Sequence, residues 1–143
     1  MSLIMIVDDE KYVRESFGKI LNKEGYEIKL AATGDEALVL LNEVKPNVIL
    51  LDFKMPGLDG VEVCKKIRSN AATRAIPIIM ITAYPHEKVE ALQAGADDFL
   101  NKPTDPVDVS MRIKCVLKIG ELTDELERTK AYLEELKKNH KDW

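Results

Sequence analysis

Residues 3–13 read LIMIVDDEKYV, an apolar run that stops on Asp8, Asp9 and Glu10. The run itself predicts a short buried strand, and Val13, Phe17, Ile20 and Leu21, recurring at helical spacing up to Gly25, predict the helix that follows it. The acids between the two need a reason. Like charges a few ångströms apart repel by roughly 1–4 kcal/mol per pair near a protein surface, so a buried strand aimed at three acids implies something positive beside them.

The strand-then-helix unit recurs along the chain. Tyr26, Ile28 and Leu30 alternate with Glu27, Lys29 and Ala31, the pattern of a strand buried more on one face than the other, which suits a sheet edge. Thr33 and Glu36 form a capping-box signature, and Ala37, Leu38, Leu41 and Val44 continue as a helical stripe to Pro46. Val48 to Leu51 is apolar at every position, as expected of a central parallel strand covered on both faces, and Asp52 follows at once. Then come the loop FKMPGLDG (53–60), a helix carrying Val63, Cys64 and Ile67, and a strand from Ile78 to Ile81 ending in Thr82. A helix through Val89 and Leu92 stops at Gly95, and a short strand around Phe99 and Leu100 leads into NKPTDP (101–106). Five strands alternating with helices predict an α/β, doubly wound parallel sheet with helices on both faces and right-handed crossovers. Such sheets bind ligands beyond the carboxyl ends of their strands.

Composition narrows the function classes. With 143 residues and 45% hydrophobic content, the chain can bury one core of its own, plus at most an appendage. A net charge of −4 and a pI near 5.3 argue against direct nucleic-acid binding, which needs clustered Lys and Arg to displace phosphate counterions. Cys64 and Cys115 belong to no CxxC pattern, so a disulfide framework or zinc site is not expected and a reducing compartment fits. The sequence has neither a membrane-spanning apolar stretch nor the features of a signal peptide at its start, so a cytoplasmic location is expected.

The strand ends carry the chemistry. Asp8 and Asp9 end the first strand, Asp52 the third and Thr82 the fourth, while Lys102 follows the fifth. If the first strand lies between its neighbours, three carboxylates, a hydroxyl and an ammonium converge on one crevice. Several carboxylates without His or Cys suit a hard cation, Mg²⁺, for which Mn²⁺ can substitute. Hydrolysis, metal storage and phosphoryl transfer all remain open to carboxylates and a cation, and Lys102 and Thr82 favour the last. A phosphoryl group in transfer needs cationic and hydrogen-bonding partners on its equatorial oxygens, which leaves Asp52 as the nucleophile that forms an acyl phosphate.

Four segments, VDDE (7–10), LLDFKMPGLDG (50–60), MITAY (80–84) and DDFLNKP (97–103), resemble in content, order and spacing the hallmark segments of the receiver (CheY-like) domain of two-component response regulators. The resemblance covers Leu3 to about Leu117. It implies a flavodoxin-like fold with sheet order 2-1-3-4-5. It also implies that Asp52 accepts phosphate from a sensor histidine kinase or phosphotransfer protein, with Asp8, Asp9, Asp52 and the backbone carbonyl of Lys54 holding Mg²⁺. By the same resemblance Thr82 is the switch hydroxyl, Lys102 the phosphate-binding ammonium and Phe99 the switch aromatic. The Lys102–Pro103 bond matches the family's cis peptide. Lys54, Met55, Pro56, Gly57, Ala83 and Tyr84 occupy the acceptor-loop and rate-modulating positions; a long cation at Lys54 and a ring at Tyr84 suggest slow loss of the phosphoryl group. The implied output is a shape change on the face made by the fourth helix, fifth strand and fifth helix.

The last segment reads as an extension, with a boundary between a domain at 1–118 and a helical segment at 119–143. Asp105 and Pro106 open a helix that is free to run past the domain. Ile119, Leu122, Leu126, Thr129, Leu133 and Leu136 are spaced three and four apart, the seam of a coiled coil, and a parallel homodimer is the preferred reading. Gly120, the polar Thr129 and the shortness of the seam oppose it, the alternative being a solvated single helix or linker. The whole chain thus reads as a phosphorylation-controlled signalling module that catalyses only its own Mg²⁺-dependent phosphorylation and dephosphorylation, without nucleic-acid or membrane binding. Two rivals stand beside it. One is a Mg²⁺-dependent phosphohydrolase with Asp52 as nucleophile, for which Lys54 poorly fills the general-acid position; the other is a constitutive dimerisation scaffold.

Overall fold

The computed structural model describes residues 2–119 and 125–139, the side chains of the second segment from Thr129 onward. Five strands, β1 (Leu3–Val7), β2 (Glu27–Ala31), β3 (Val48–Asp52), β4 (Ile78–Thr82) and β5 (Asp98–Asn101), form one parallel sheet in the order β2-β1-β3-β4-β5. Helices α1 (Lys11–Lys23), α2 (Gly34–Leu40), α3 (Gly60–Ser69), α4 (Lys88–Ala94) and α5 (Pro106–Ile119) make the crossovers, and α6 (Glu125–Asn139) follows. This is the flavodoxin-like arrangement expected.

The side-chain period of two sorts the core into two layers. Met5, Val7, Ile49, Leu51, Ile78 and Met80 pack under α2, α3 and α4. Their neighbours Ile4, Ile6, Val48, Leu50, Ile79 and Ile81 pack under α1, α5 and α6. Every residue of β3 and β4 is buried, whereas β2 pairs only with β1 and leaves Glu27, Lys29 and Leu30 exposed, as an edge strand should. Val7 pairs with both Ala31 and Leu51, and Asp52 with Ile81, so the strands finish nearly level.

Local details depart from the sequence reading in places. Thr33 accepts from the Glu36 N–H at 3.0 Å, but the Glu36 carboxylate reaches the N–H of Ala32, so only half of the capping box forms at α2. That helix stops at Leu40 instead of running to Pro46, because the chain must turn back to enter β3, while Leu41 and Val44 still pack on the core. The helix expected through Val89 and Leu92 forms as α4 and ends at Gly95, with Ala91 and Ala94 buried and Val89 and Leu92 exposed; small side chains let this short helix lie close to the sheet.

The largest revision concerns the extension. Ile119 is the last residue of α5 and is buried in the domain, and α6 packs against α5 with Tyr132 and Leu136 in the same core. The Tyr132 hydroxyl donates to Asp98 Oδ2, which also accepts from Arg112 Nη1 at 2.6 Å, and Lys118 Nζ donates to Glu135 Oε1 at 2.9 Å. Ile119 and Leu136, two of the seam positions, therefore face this chain's own domain. Leu133 is half exposed, and the side chains of Leu122 and Leu126 lie outside the described residues. The physical reason is Tyr132, off the seam, which brings a ring to the core and a hydroxyl to a buried carboxylate. Burial and Asp98 push that hydroxyl's pKa far up, so it acts as a donor at any ordinary pH.

Replacing Tyr132 by Phe should keep the packing and lose the hydrogen bond, costing about 1–2 kcal/mol and about 4–8 °C in Tm. A thermal melt followed by circular dichroism measures this, and an unchanged Tm would mean that α6 does not rest on α5 in solution.

Candidate functional site

Because the strands are parallel and end level, their carboxyl ends deliver the predicted residues to one rim. Asp52 closes β3, Thr82 closes β4, and Asp8 and Lys102 each lie one residue beyond a strand. The chain leaves Asp52 through a tight loop. Gly57 adopts φ +75°, and a Cβ on Gly60 would strike the Asp52 carbonyl oxygen and approach Phe53 Cα to 2.9 Å. The close approach lets the Gly60 N–H donate to the Phe53 carbonyl at 2.8 Å and draws the start of α3 against the strand end. Asp59 and Glu62 complete a full capping box there, with bonds of 2.9 and 3.3 Å. The Asp-x-x-Glu spacing of residues 59–62 is the sequence signal for it.

Carboxylate oxygens of Asp8, Asp9 and Asp52 lie within 4.8 Å of one another. Asp8 is 2% and Asp52 4% exposed, while Asp9 is exposed and Glu10 stands outside the group at the start of α1. The positive partner demanded by the opening acids is Lys102, whose Nζ stands 3.2 Å from Asp52 Oδ1 and 3.5 Å from Asp8 Oδ2. Asp8 is fixed further by the Glu10 N–H at 2.9 Å, and Arg14 Nη1 ties the Asp8 carbonyl to α1 at 2.7 Å. One ammonium does not balance the group. Burial first and the neighbouring Asp8 second push the Asp52 carboxyl up to about 7, against the lowering effect of Lys102. Burial likewise works against the Lys102 charge, but Asp52 and Asp8 together outweigh it and hold that ammonium above its usual pKa. A preassembled all-oxygen donor set with excess negative charge fits a divalent hard cation such as Mg²⁺, the charge that would relieve the crowding.

The remaining predicted residues surround this centre. The Lys102–Pro103 peptide is cis, and the Lys102 N–H donates to the Thr82 carbonyl at 2.6 Å, tying the two strand ends together. Met55 is buried, and Pro56 and Ala83 are exposed. Lys54 and Tyr84 meet on the rim, with the Lys54 Nζ 5.5 Å from the ring centroid. Phe99 is half-buried with the Lys88 ammonium 5.0 Å from its ring. Thr82 is buried; its oxygen accepts from the Tyr84 N–H at 3.1 Å, and its hydroxyl donates to Glu87 Oε1. Glu87, in the 3-10 turn Pro85–Glu87 before α4, is 6% exposed and pairs with Lys54 at 3.8 Å. No sequence signal pointed to it, since a glutamate in a turn is ordinarily solvated.

Residues 4–114 match the response regulator receiver domain family. The chain belongs to that family. A receiver is the phosphorylation-dependent signalling module of two-component systems. Over 117 residues the receiver is 44% identical to the transcriptional regulatory protein ResD of Bacillus subtilis, covering 80% of this chain and 48% of ResD. It is 39% identical to the response regulator PleD of Caulobacter vibrioides over 131 residues, covering 90% of this chain and 29% of PleD. The chain thus spans about half or less of the length of these relatives. Among solved structures, the Vibrio cholerae chemotaxis protein CheY4 superposes with a TM-score of 0.77 at 33% identity, covering 82% of this chain and 99% of that one. A receiver domain of a Syntrophus aciditrophicus histidine kinase gives 0.81 at 31% identity, covering 87% and 96%. Among the described residues, no helix of the receiver is long and apolar enough to cross a membrane.

The raised pKa of Asp52 has a sign that can be measured. An acid whose pKa rises from 3.8 to about 7 on folding destabilises the native state progressively as pH climbs through that window, and fully above it. Asp52→Asn removes the cost, so in metal-free protein the variant should melt about 5–8 °C above wild type near pH 8, roughly 2 kcal/mol, and by much less near pH 5. Calorimetry in a chelating buffer checks it; a gap that shrinks toward pH 8 would contradict the electrostatic account.

Proposed function

We propose that this receiver accepts a phosphoryl group on Asp52 from the phosphohistidine of a sensor histidine kinase or phosphotransfer protein, and returns it to water by its own chemistry. The observation that carries the reading is the pair of buried carboxylates, Asp8 and Asp52, sharing Lys102 at the rim where Thr82 also ends its strand. Asp52 attacks phosphorus, an oxygen–phosphorus bond forms, the phosphorus–nitrogen bond to histidine breaks, and the imidazole leaves with a proton from solvent. Bound Mg²⁺, held by Asp8, Asp9, Asp52 and the Lys54 carbonyl, would supply neutralising charge for the phosphoryl oxygens. Lys102 gives its ammonium to one oxygen, and the Thr82 hydroxyl gives a hydrogen bond to another. The stacked Lys54 and Tyr84 hinder water, which favours a long-lived acyl phosphate.

In this reading Phe99 reports the state of Thr82 to the face of α4, β5 and α5. That face carries α6: Phe99, Tyr132 and Leu133 line one cavity of about 420 Å³ between them. Pairing of two chains through the last helix requires α6 to leave this position, which couples assembly to the switch. Cytoplasmic operation fits the two buried free thiols, Cys64 and Cys115.

Incubation with acetyl phosphate and Mg²⁺ should add one phosphoryl group by intact-mass measurement, and none to Asp52→Ala. Decay over minutes or longer is expected, faster in Lys54→Ala and Tyr84→Ala; a wild-type half-life of seconds would refute the shielding. Light scattering after chromatography, with Mg²⁺ and beryllofluoride, should show a change in mass or shape that needs Asp52. A dimer present regardless of both additions would assign assembly to the helix alone.

A further inference from the structure

We propose that Glu87 is a positioning residue that holds the Thr82 hydroxyl in the unphosphorylated state and thereby sets how readily the switch is thrown. The inference rests on the function proposed above and names a part of it that neither the motifs nor the family match assigns. Burying a carboxylate is costly unless it is hydrogen-bonded and paired, and Glu87 is 6% exposed. Its buried partner is Thr82, whose hydroxyl donates to Oε1; its charge partner is Lys54 on the rim, 3.8 Å from Oε2 with a largely solvated side chain. A threonine hydroxyl has one proton to give. It can go to Glu87 or to a phosphoryl oxygen on Asp52, and not to both.

Activation therefore has two opposing consequences at Glu87. The acyl phosphate gains the Thr82 hydrogen bond, and Glu87 loses its buried donor. The adjacent Lys88 places its ammonium over the Phe99 ring at 5.0 Å. Two consecutive residues at the start of α4 thus hold both members of the expected switch pair, Thr82 through Glu87 and Phe99 through Lys88. Loss of the Glu87 bond frees this turn, so the latch also links the site to the movement of α4.

The test is beryllofluoride binding in the presence of Mg²⁺, followed by fluorine NMR, in a double-mutant cycle with Thr82→Val. Glu87→Ala should bind about tenfold more tightly than wild type, the equivalent of one competing hydrogen bond removed. Glu87→Gln, which keeps the size and an acceptor oxygen and guards against misfolding, should bind a few-fold more tightly. In a Thr82→Val background neither change should alter binding, a result that a structural or purely electrostatic role would not produce. Unchanged or weaker binding by both Glu87 variants, in a wild-type protein that binds, overturns the latch alone. Equal gains with and without Thr82 also overturn it, in favour of plain charge repulsion. A wild-type chain that takes up no beryllofluoride overturns the phosphoacceptor reading itself, and the latch with it.

Discussion

Asp8 and Asp52 stand side by side at the ends of β1 and β3, nearly cut off from water, and share the Lys102 ammonium between them. The arrangement exists because parallel strands end together: the register that pairs Val7 with Leu51 leaves the next residue of each strand an acid. Everything else at the rim is arranged around that unbalanced charge. The cis peptide after Lys102 and its N–H bond to the Thr82 carbonyl hold the β5 end against β4. The Gly60 contact draws α3 up beneath Asp52. Burial and Asp8 still outweigh Lys102, so the site is short of positive charge as it stands. A centre with this imbalance suits a divalent cation, whose charge would relieve the crowding.

A site at the end of a sheet can affect a distant surface only through elements with two arrangements. In the latch proposed above, the 3-10 turn before α4 is such an element. It is short, its buried carboxylate is held by the Thr82 hydroxyl and the Lys54 ammonium, and its neighbour lysine lies on a half-buried ring. Local contacts of this kind are each worth on the order of 1 kcal/mol, enough to bias a packing choice and too little to freeze it. Phe99 and Lys88 also line the cavity that the last helix covers.

The last helix shows how one apolar stripe can serve two surfaces. Leucines spaced three and four apart suit a neighbouring helix, whether that helix belongs to a second chain or to the same domain. Intramolecular docking has the advantage of a tethered partner, and the Tyr132–Asp98–Arg112 network adds polar specificity that a leucine seam lacks. In the docked form Leu136 is buried in the same core as the residues of α5.

Much of the molecule was legible in the chain itself. Apolar runs with period two or none, helices of period 3.6 and glycine stops were enough for the element order as far as α5, the edge position of β2 and the buried β3, because these patterns follow from local geometry and one-face burial; the separate α6 reads in the sequence as a continuation of α5. The strand-end positions of Asp8, Asp9, Asp52, Thr82 and Lys102 were legible for the same reason, since a parallel α/β sheet brings the ends of its strands to one edge. What the sequence could not decide depends on contacts between residues far apart or on competition among equivalent local choices. The early end of α2 reflects the return to β3; the burial of alanines in α4 reflects how near the sheet lies. The fold-back of α6 depends on Tyr132 meeting Asp98 across 34 positions of the chain. Glu87 became visible only once the turn before α4 had placed it against Thr82, since nothing in a turn glutamate announces that it will be buried.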